Sequence, residues 1–149
     1  ARAAEAVRAE YERRGDRRTR PYPGVTDLLA ALEAHGTPAA VVTNKPEEFA
    51  RRIAAGLLGR FRFAAVVGAR PGLRLKPDPA GALEAARAMG LAPAEVLYLG
   101  DTATDMRTAV AAGMEPAGVL WGFRGRAELE GAGARHLLAR PHDAVVLLD

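Results

Sequence analysis

The 149-residue sequence contains no cysteine, no serine and no glutamine. Without cysteine there is no disulfide, no thiolate metal ligand and no thiol nucleophile. Aromatic residues make up only 5% of the chain, too few for a base-stacking platform. The arginines are scattered, so the formal charge of +3 suits the attraction of a small anion, and no nucleic-acid partner is expected. No apolar run approaches the roughly 18 residues of a membrane span, and no secretory signal is visible. The expectation is a cytoplasmic protein with no membrane partner. Scarce amides and cysteine fit a thermophile, and genome composition alone would produce the same pattern.

Two residue types are nearly missing, and their survivors are informative. Lysine occurs only as Lys45 and Lys76, although lysine and arginine together number 21. Asparagine occurs once, as Asn44. They sit in "VVTNKPEE" and "LRLKPDPA". An arginine cannot replace a compact ammonium where a point charge must fit a small space.

What is abundant is apolar. Hydrophobic residues account for 49% of the chain, and its length fits one domain with a substantial core. "ARAAEAVRAEYERR" at the start has helical composition and begins inside its pattern with no cap. "GDRRTRPYPGV" breaks it and reads as a hinge. Thereafter helix and strand patterns alternate. The helical segments are "VTDLLAALEAHG", "PEEFARRIAAGLLGRF", "DPAGALEAARAMG", "TDMRTAVAAG" and the short "AELEGAG". The strand segments are "PAAVVTN", "FAAVVGA", "EVLYLGD", "PAGVLWG" and an edge candidate "ARHLLAR", and "PHDAVVLL" reads as a closing helical turn. Strands that are apolar throughout, separated by helices, predict a parallel sheet covered on both faces. This is an α/β, doubly wound, Rossmann-like fold, in which ligands bind beyond the carboxyl ends of the strands.

Three polar clusters fall at those ends. Asp101 closes a strand, and Asp105 lies in the first turn of the next helix. Carboxylates on such a lip suit Mg²⁺, which takes few protein ligands and keeps its waters. Asp105 is equally suited to complementing the helix dipole. Thr43 and Asn44 can hold phosphate oxygens through a hydroxyl and backbone N–H groups, or can simply cap a helix. Lys76 is the amine to set against a phosphate, where it would neutralise charge that develops in a transition state. Lys45 reads as a rim or surface residue.

The ordered set "VVTNKP", "LKPDP" and "LYLGDTATDM", with "PYPGV" upstream and "GVLWGFRG" downstream, resembles the haloacid dehalogenase superfamily, and within it the phosphoglycolate phosphatases. The resemblance runs from about Arg20 to Asp149. It implies phosphate binding by Thr43, the Asn44 backbone and Lys76, with Lys76 and Thr43 in catalytic roles. It implies Mg²⁺ ligation by Asp101, with Asp105 as a second acid supporting metal or lysine. Arg124 would lie near substrate, while Trp121 is expected to pack. The implied activity is Mg²⁺-dependent hydrolysis of a small phosphorylated metabolite, 2-phosphoglycolate first, through an aspartyl-phosphate. Sugar-phosphate phosphatases, pyrophosphatases and phosphomutases of the superfamily are the near alternatives. A dehalogenase fits less well because the metal acid is kept, and a phospho-receiver domain would need an acidic cluster on its first and third strands.

The family's nucleophile belongs to an Asp-x-Asp-Gly-Thr motif on its first strand, and no such motif occurs here. Neither Asp27, inside a helix, nor Asp78, in a loop, replaces it. The organisation expected is therefore residues 1–20 as the end of a helical cap plus hinge, and residues 21–149 as the α/β core without its first strand. That strand would lie between those carrying Thr43 and Asp101, and its loss would expose two apolar edges. The alternative to an enzyme is a catalytically incomplete fragment that still binds anions.

Overall fold

Val25 to Ala34 alternates apolar and polar residues with helical period, and α1 forms there, closed by Gly36 at a φ of 67° that suits glycine. The computed structural model describes residues 5, 6, 9, 10 and 19–148. Glu5, Ala6, Ala9 and Glu10 are helical; the rest of the expected N-terminal helix and the start of the hinge lie outside the described residues. After α1 come β1 (Ala40–Pro46), α2 (Glu47–Leu58), β2 (Ala65–Ala69) and α3 (Ala80–Met89). Then follow β3 (Leu97–Gly100), α4 (Ala103–Ala112), β4 (Glu115–Val119), α5 (Arg126–Gly131) and β5 (His136–Leu138). A 3₁₀ segment, Pro141–Leu147, closes the chain. The alternation expected from the sequence is present. β1 continues through Thr43, Asn44 and Lys45 to Pro46, which has no N–H to donate and serves as the N-cap of α2.

Every strand pairing is parallel. Helices cover both faces, which is why the strands are apolar on successive residues. On one face, Leu28 of α1 and Ala144 of the closing segment pack with Ala117, Val119 and Leu138. On the other, Ala82 and Ala86 of α3 and Ala109 and Ala112 of α4 pack against Tyr98 and Met114. Alanine buries little area per residue. Its small size lets helix and sheet backbones approach closely, so dispersion contacts make up part of the difference.

The sheet is in two parts, β1 with β2 and β3-β4-β5 in that order. The division falls between the strand carrying Thr43 and the strand leading to Asp101. A cavity of about 260 Å³ lies there, with Val42 from one side and Leu97, Tyr98 and Leu99 from the other in its lining.

A charged clamp fixes the corner between β1 and α2. Glu47 accepts hydrogen bonds from the Gly68 N–H at 3.2 Å, from Arg70 at 2.7 Å and from Arg51 at 3.0 Å. Arg70 also pairs with Glu84 at 2.5 Å, which ties α3 to the same corner. Gly68 is required here, because a methyl would come within 2.7 Å of the Glu47 nitrogen and 2.8 Å of the Lys45 carbonyl. Burial works to raise the Glu47 pKa, and the Gly68, Arg51 and Arg70 hydrogen bonds outweigh it, so the net direction is down. A lowered pKa in the folded state contributes stability above the unfolded carboxyl's pKa, and that stability is lost as pH falls through the folded value. Glu47→Gln is expected to cost about 1–2 kcal/mol at neutral pH. Comparing urea midpoints at pH 7 and pH 3 tests this; a gap between variant and parent that does not shrink at pH 3 would contradict the charged clamp.

Candidate active site

The carboxyl ends of β1 and β3 bring together residues far apart in sequence. Lys76 arrives on the loop between β2 and α3. Its ammonium donates to Asp105 Oδ1 at 2.7 Å and to the Val42 carbonyl at 3.2 Å. The Lys76 side chain is 16% exposed and that of Asp105 10%, so the pair is largely out of water. Its backbone is held as well. The Asn44 amide accepts from the Lys76 N–H at 2.9 Å and donates to the Lys76 carbonyl at 3.1 Å, much as a neighbouring strand would. The sequence reading gave Asn44 a phosphate-binding backbone. The structure gives its side chain the task of anchoring the lysine loop, and the one asparagine of the chain is the trace of that task in the sequence.

Asp105 is occupied by the structure around it. Oδ2 accepts from the backbone N–H of Asp101 and of Thr102, each at 3.2 Å, and from the Thr102 hydroxyl at 2.8 Å. Thr102 returns the contact by accepting from the Asp105 N–H at 3.3 Å, which forms a capping box at the start of α4. Both oxygens of Asp105 are thus used, one by Lys76 and the other by the loop. Its Oδ1 is the oxygen that holds the lysine. Gly100 makes room, since a methyl there would lie within 2.7 Å of Asp105 Cγ.

Asp101 is half-buried, and its Oδ2 accepts from the Phe123 N–H at 2.9 Å. Among the described residues its Oδ1 takes no hydrogen bond. Gly122 packs directly on this carboxylate, where a methyl would come within 2.5 Å of Oδ2. The "WGFRG" loop therefore positions Asp101 through the Gly122 surface and the Phe123 N–H, and the only sign of this in the sequence is the glycine. Trp121 packs against the Leu28 and Val119 cluster. Phe123 is 82% exposed. Arg124, two residues before α5, pairs with Glu128 at 3.7 Å. Thr43 Oγ1 accepts from the Lys45 N–H at 3.1 Å, which leaves its hydroxyl proton available to a ligand.

Among the described residues no group of three histidine, aspartate or glutamate side chains gathers around a common point. Mg²⁺ is commonly held by one or two carboxylates, waters and substrate oxygens. The open oxygen of Asp101 fits such an ion as one ligand. Among the described residues no helix is long and apolar enough to cross a membrane.

A lysine, a threonine and an aspartate thus meet on the carboxyl-end lip of a parallel α/β sheet. Residues 1–113 match the model of the haloacid dehalogenase-like hydrolases, and the chain belongs to that family. The phosphoglycolate phosphatase of Xylella fastidiosa (strain 9a5c) is 41% identical over 106 residues, covering 71% of this chain. The chain spans 46% of that relative's length. A Lactobacillus delbrueckii subsp. bulgaricus protein, solved as a candidate phosphoglycolate phosphatase, superposes with a TM-score of 0.81 at 31% identity, over 87% of this chain and 54% of its own. CbbY from Rhodobacter sphaeroides, solved with xylulose-(1,5)bisphosphate, gives a TM-score of 0.69 at 27% identity, over 80% of this chain and 53% of its own.

Proposed function

We propose that this chain is the phosphate- and metal-binding part of a Mg²⁺-dependent phosphomonoester hydrolase acting on a small phosphorylated acid, 2-phosphoglycolate. The observation that carries the reading is the Lys76 ammonium, fixed between Asp105 and the Val42 carbonyl on the lip of β1 and β3. A buried, immobilised cation there costs no reorganisation when negative charge builds on a phosphoryl group. The Thr43 hydroxyl donates to a phosphate oxygen, and Asp101 offers its open oxygen to the metal. Mg²⁺, when bound, neutralises phosphoryl charge and orients the phosphate. The route proposed is an aspartyl-phosphate whose accepting carboxylate is none of the site residues named above. The named relatives support the substrate class, and the CbbY complex favours sugar phosphates as the next substrates to try.

The test is phosphate release from 2-phosphoglycolate, with Mg²⁺ and with chelator. Two proteins are compared, this chain and a chimera joining it to the part of the Xylella relative outside the matched region. Turnover by the chimera that chelation abolishes supports the reading. A folded chimera that binds Mg²⁺ but hydrolyses neither 2-phosphoglycolate nor any of a panel of sugar phosphates and pyrophosphate sinks it, and leaves an anion-binding fragment.

In that chimera, Gly122→Ala is expected to lower turnover about 10²-fold, the usual effect of displacing a reacting group by about 1 Å. Its melting temperature should also fall by several degrees, because the methyl would lie 2.3 Å from Asp101 Cβ and the loop must shift. Undiminished turnover would mean that the loop does not position Asp101.

A further inference from the structure

The lip residues of β1 lie where its ladder with β2 is interrupted. Ala40, Val41 and Val42 face Ala65, Val66 and Val67, and the next pairing is Pro46 with Ala69. Thr43, Asn44 and Lys45 therefore stand opposite Gly68 alone. A bulge of this kind re-aims side chains, and the regular ladder no longer sets its shape. The Lys76 loop, residues 70–79 between β2 and α3, is held little by burial, since Pro71, Gly72, Arg74, Leu75 and Pro77 are exposed. Polar anchors must fix both segments.

Arg70 stands where such an anchor is needed. It is the first residue of the lysine loop, and its guanidinium donates to carboxylates on two helices, to Glu47 through one nitrogen and to Glu84 through another. Glu47 follows the bulge directly, and it also accepts from the N–H of Gly68, the residue opposite the bulge. Glu84 lies in α3, just past the far end of the loop. One guanidinium thus joins the end of the bulge to both roots of the loop. Its flat fork fixes both directions at once, which a single ammonium would not do. The bulge and the strand below it in turn hold the middle of the loop. Asn44 bonds the Lys76 N–H and carbonyl, and the Val42 carbonyl accepts from the ammonium.

We propose that Arg70 is a positioning residue for Lys76: by locking the bulge of β1 to the two roots of the loop, it keeps the ammonium on Asp105 and the Val42 carbonyl. The consequence for catalysis rests on the hydrolase reading. The placement of the ammonium does not, and it is measured separately.

That placement is read in the 149-residue chain. Lys45 and Lys76 are its only lysines, so isotopically labelled lysine gives two side-chain signals by NMR. Expected for the parent is a Lys76 ammonium whose protons exchange slowly, because its pair with Asp105 is largely out of water. Arg70→Met should speed that exchange about tenfold, since local opening becomes easier, and Glu84→Gln should speed it several-fold. Arg135→Met, which breaks an exposed ion pair with Glu115 at the start of β4, should leave it unchanged. Should Arg70→Met fail to fold, Glu84→Gln decides, because it frees one arm of the guanidinium only. In the chimera, Arg70→Met should lower kcat about tenfold and move KM by less than about twofold. When Lys76 is already Met, the same change should cost less than about threefold, because the two residues act as one unit. A Lys76 signal that neither Arg70→Met nor Glu84→Gln alters in folded protein would overturn the proposal. So would an equal loss of kcat with and without Lys76, because Arg70 would then act elsewhere. A chimera that hydrolyses nothing, with a lysine signal that responds as expected, would remove the hydrolase reading and leave the positioning supported.

Discussion

Asp105→Ala is expected to destabilise the fold by about 3–5 kcal/mol, the usual cost of removing one partner of a buried ion pair. For a domain of this size each kcal/mol moves the melting temperature by about 2–4 °C, so a fall of roughly 6–20 °C should be seen. The size follows from what the carboxylate holds. Its removal leaves the Lys76 ammonium, the Thr102 hydroxyl and the N–H groups of Asp101 and Thr102 without their acceptor. Asp105→Asn keeps the shape and an acceptor, so its loss should be smaller. The double variant Lys76→Met/Asp105→Leu should cost less than the two single changes added together, because the charges leave as a pair. Additive losses in chemical denaturation would mean that the ammonium and carboxylate are not coupled.

Lys76→Met is expected to reduce turnover by the chimera about 10²–10³-fold, the range found when one fixed stabilising group is removed from a charge-developing site. Lys76→Arg should not restore it. A planar guanidinium cannot place one compact charge between the Val42 carbonyl and Asp105 while leaving room for a phosphate. Stability and activity separate in this comparison. Arginine keeps the positive charge, so it should recover more of the melting temperature than of the rate. A Lys76→Met chimera with more than a tenth of the parent rate would remove the lysine from the proposed chemistry.

The order of helices and strands was legible in the sequence because its signals are local. Apolar runs such as "AAVV" make strands, and Gly36, Gly90 and Gly113 end helices at positive φ. The parallel arrangement was legible too, since strands apolar on both faces need covering on both. The candidate residues were legible by type and position, at strand ends and in the first turn of a helix. Their partners were not. That Asp105 spends both oxygens on Lys76 and its own loop, that Asn44 fastens the lysine backbone, and that Gly122 bears on Asp101 are contacts across 29, 32 and 21 residues of sequence. The chain's own residues determined the layered fold and the chemical character of the lip. Tertiary structure alone decided which groups pair there and where the sheet divides. Local propensity acts over a few residues, whereas a hydrogen bond or a strand edge is settled only when distant segments meet.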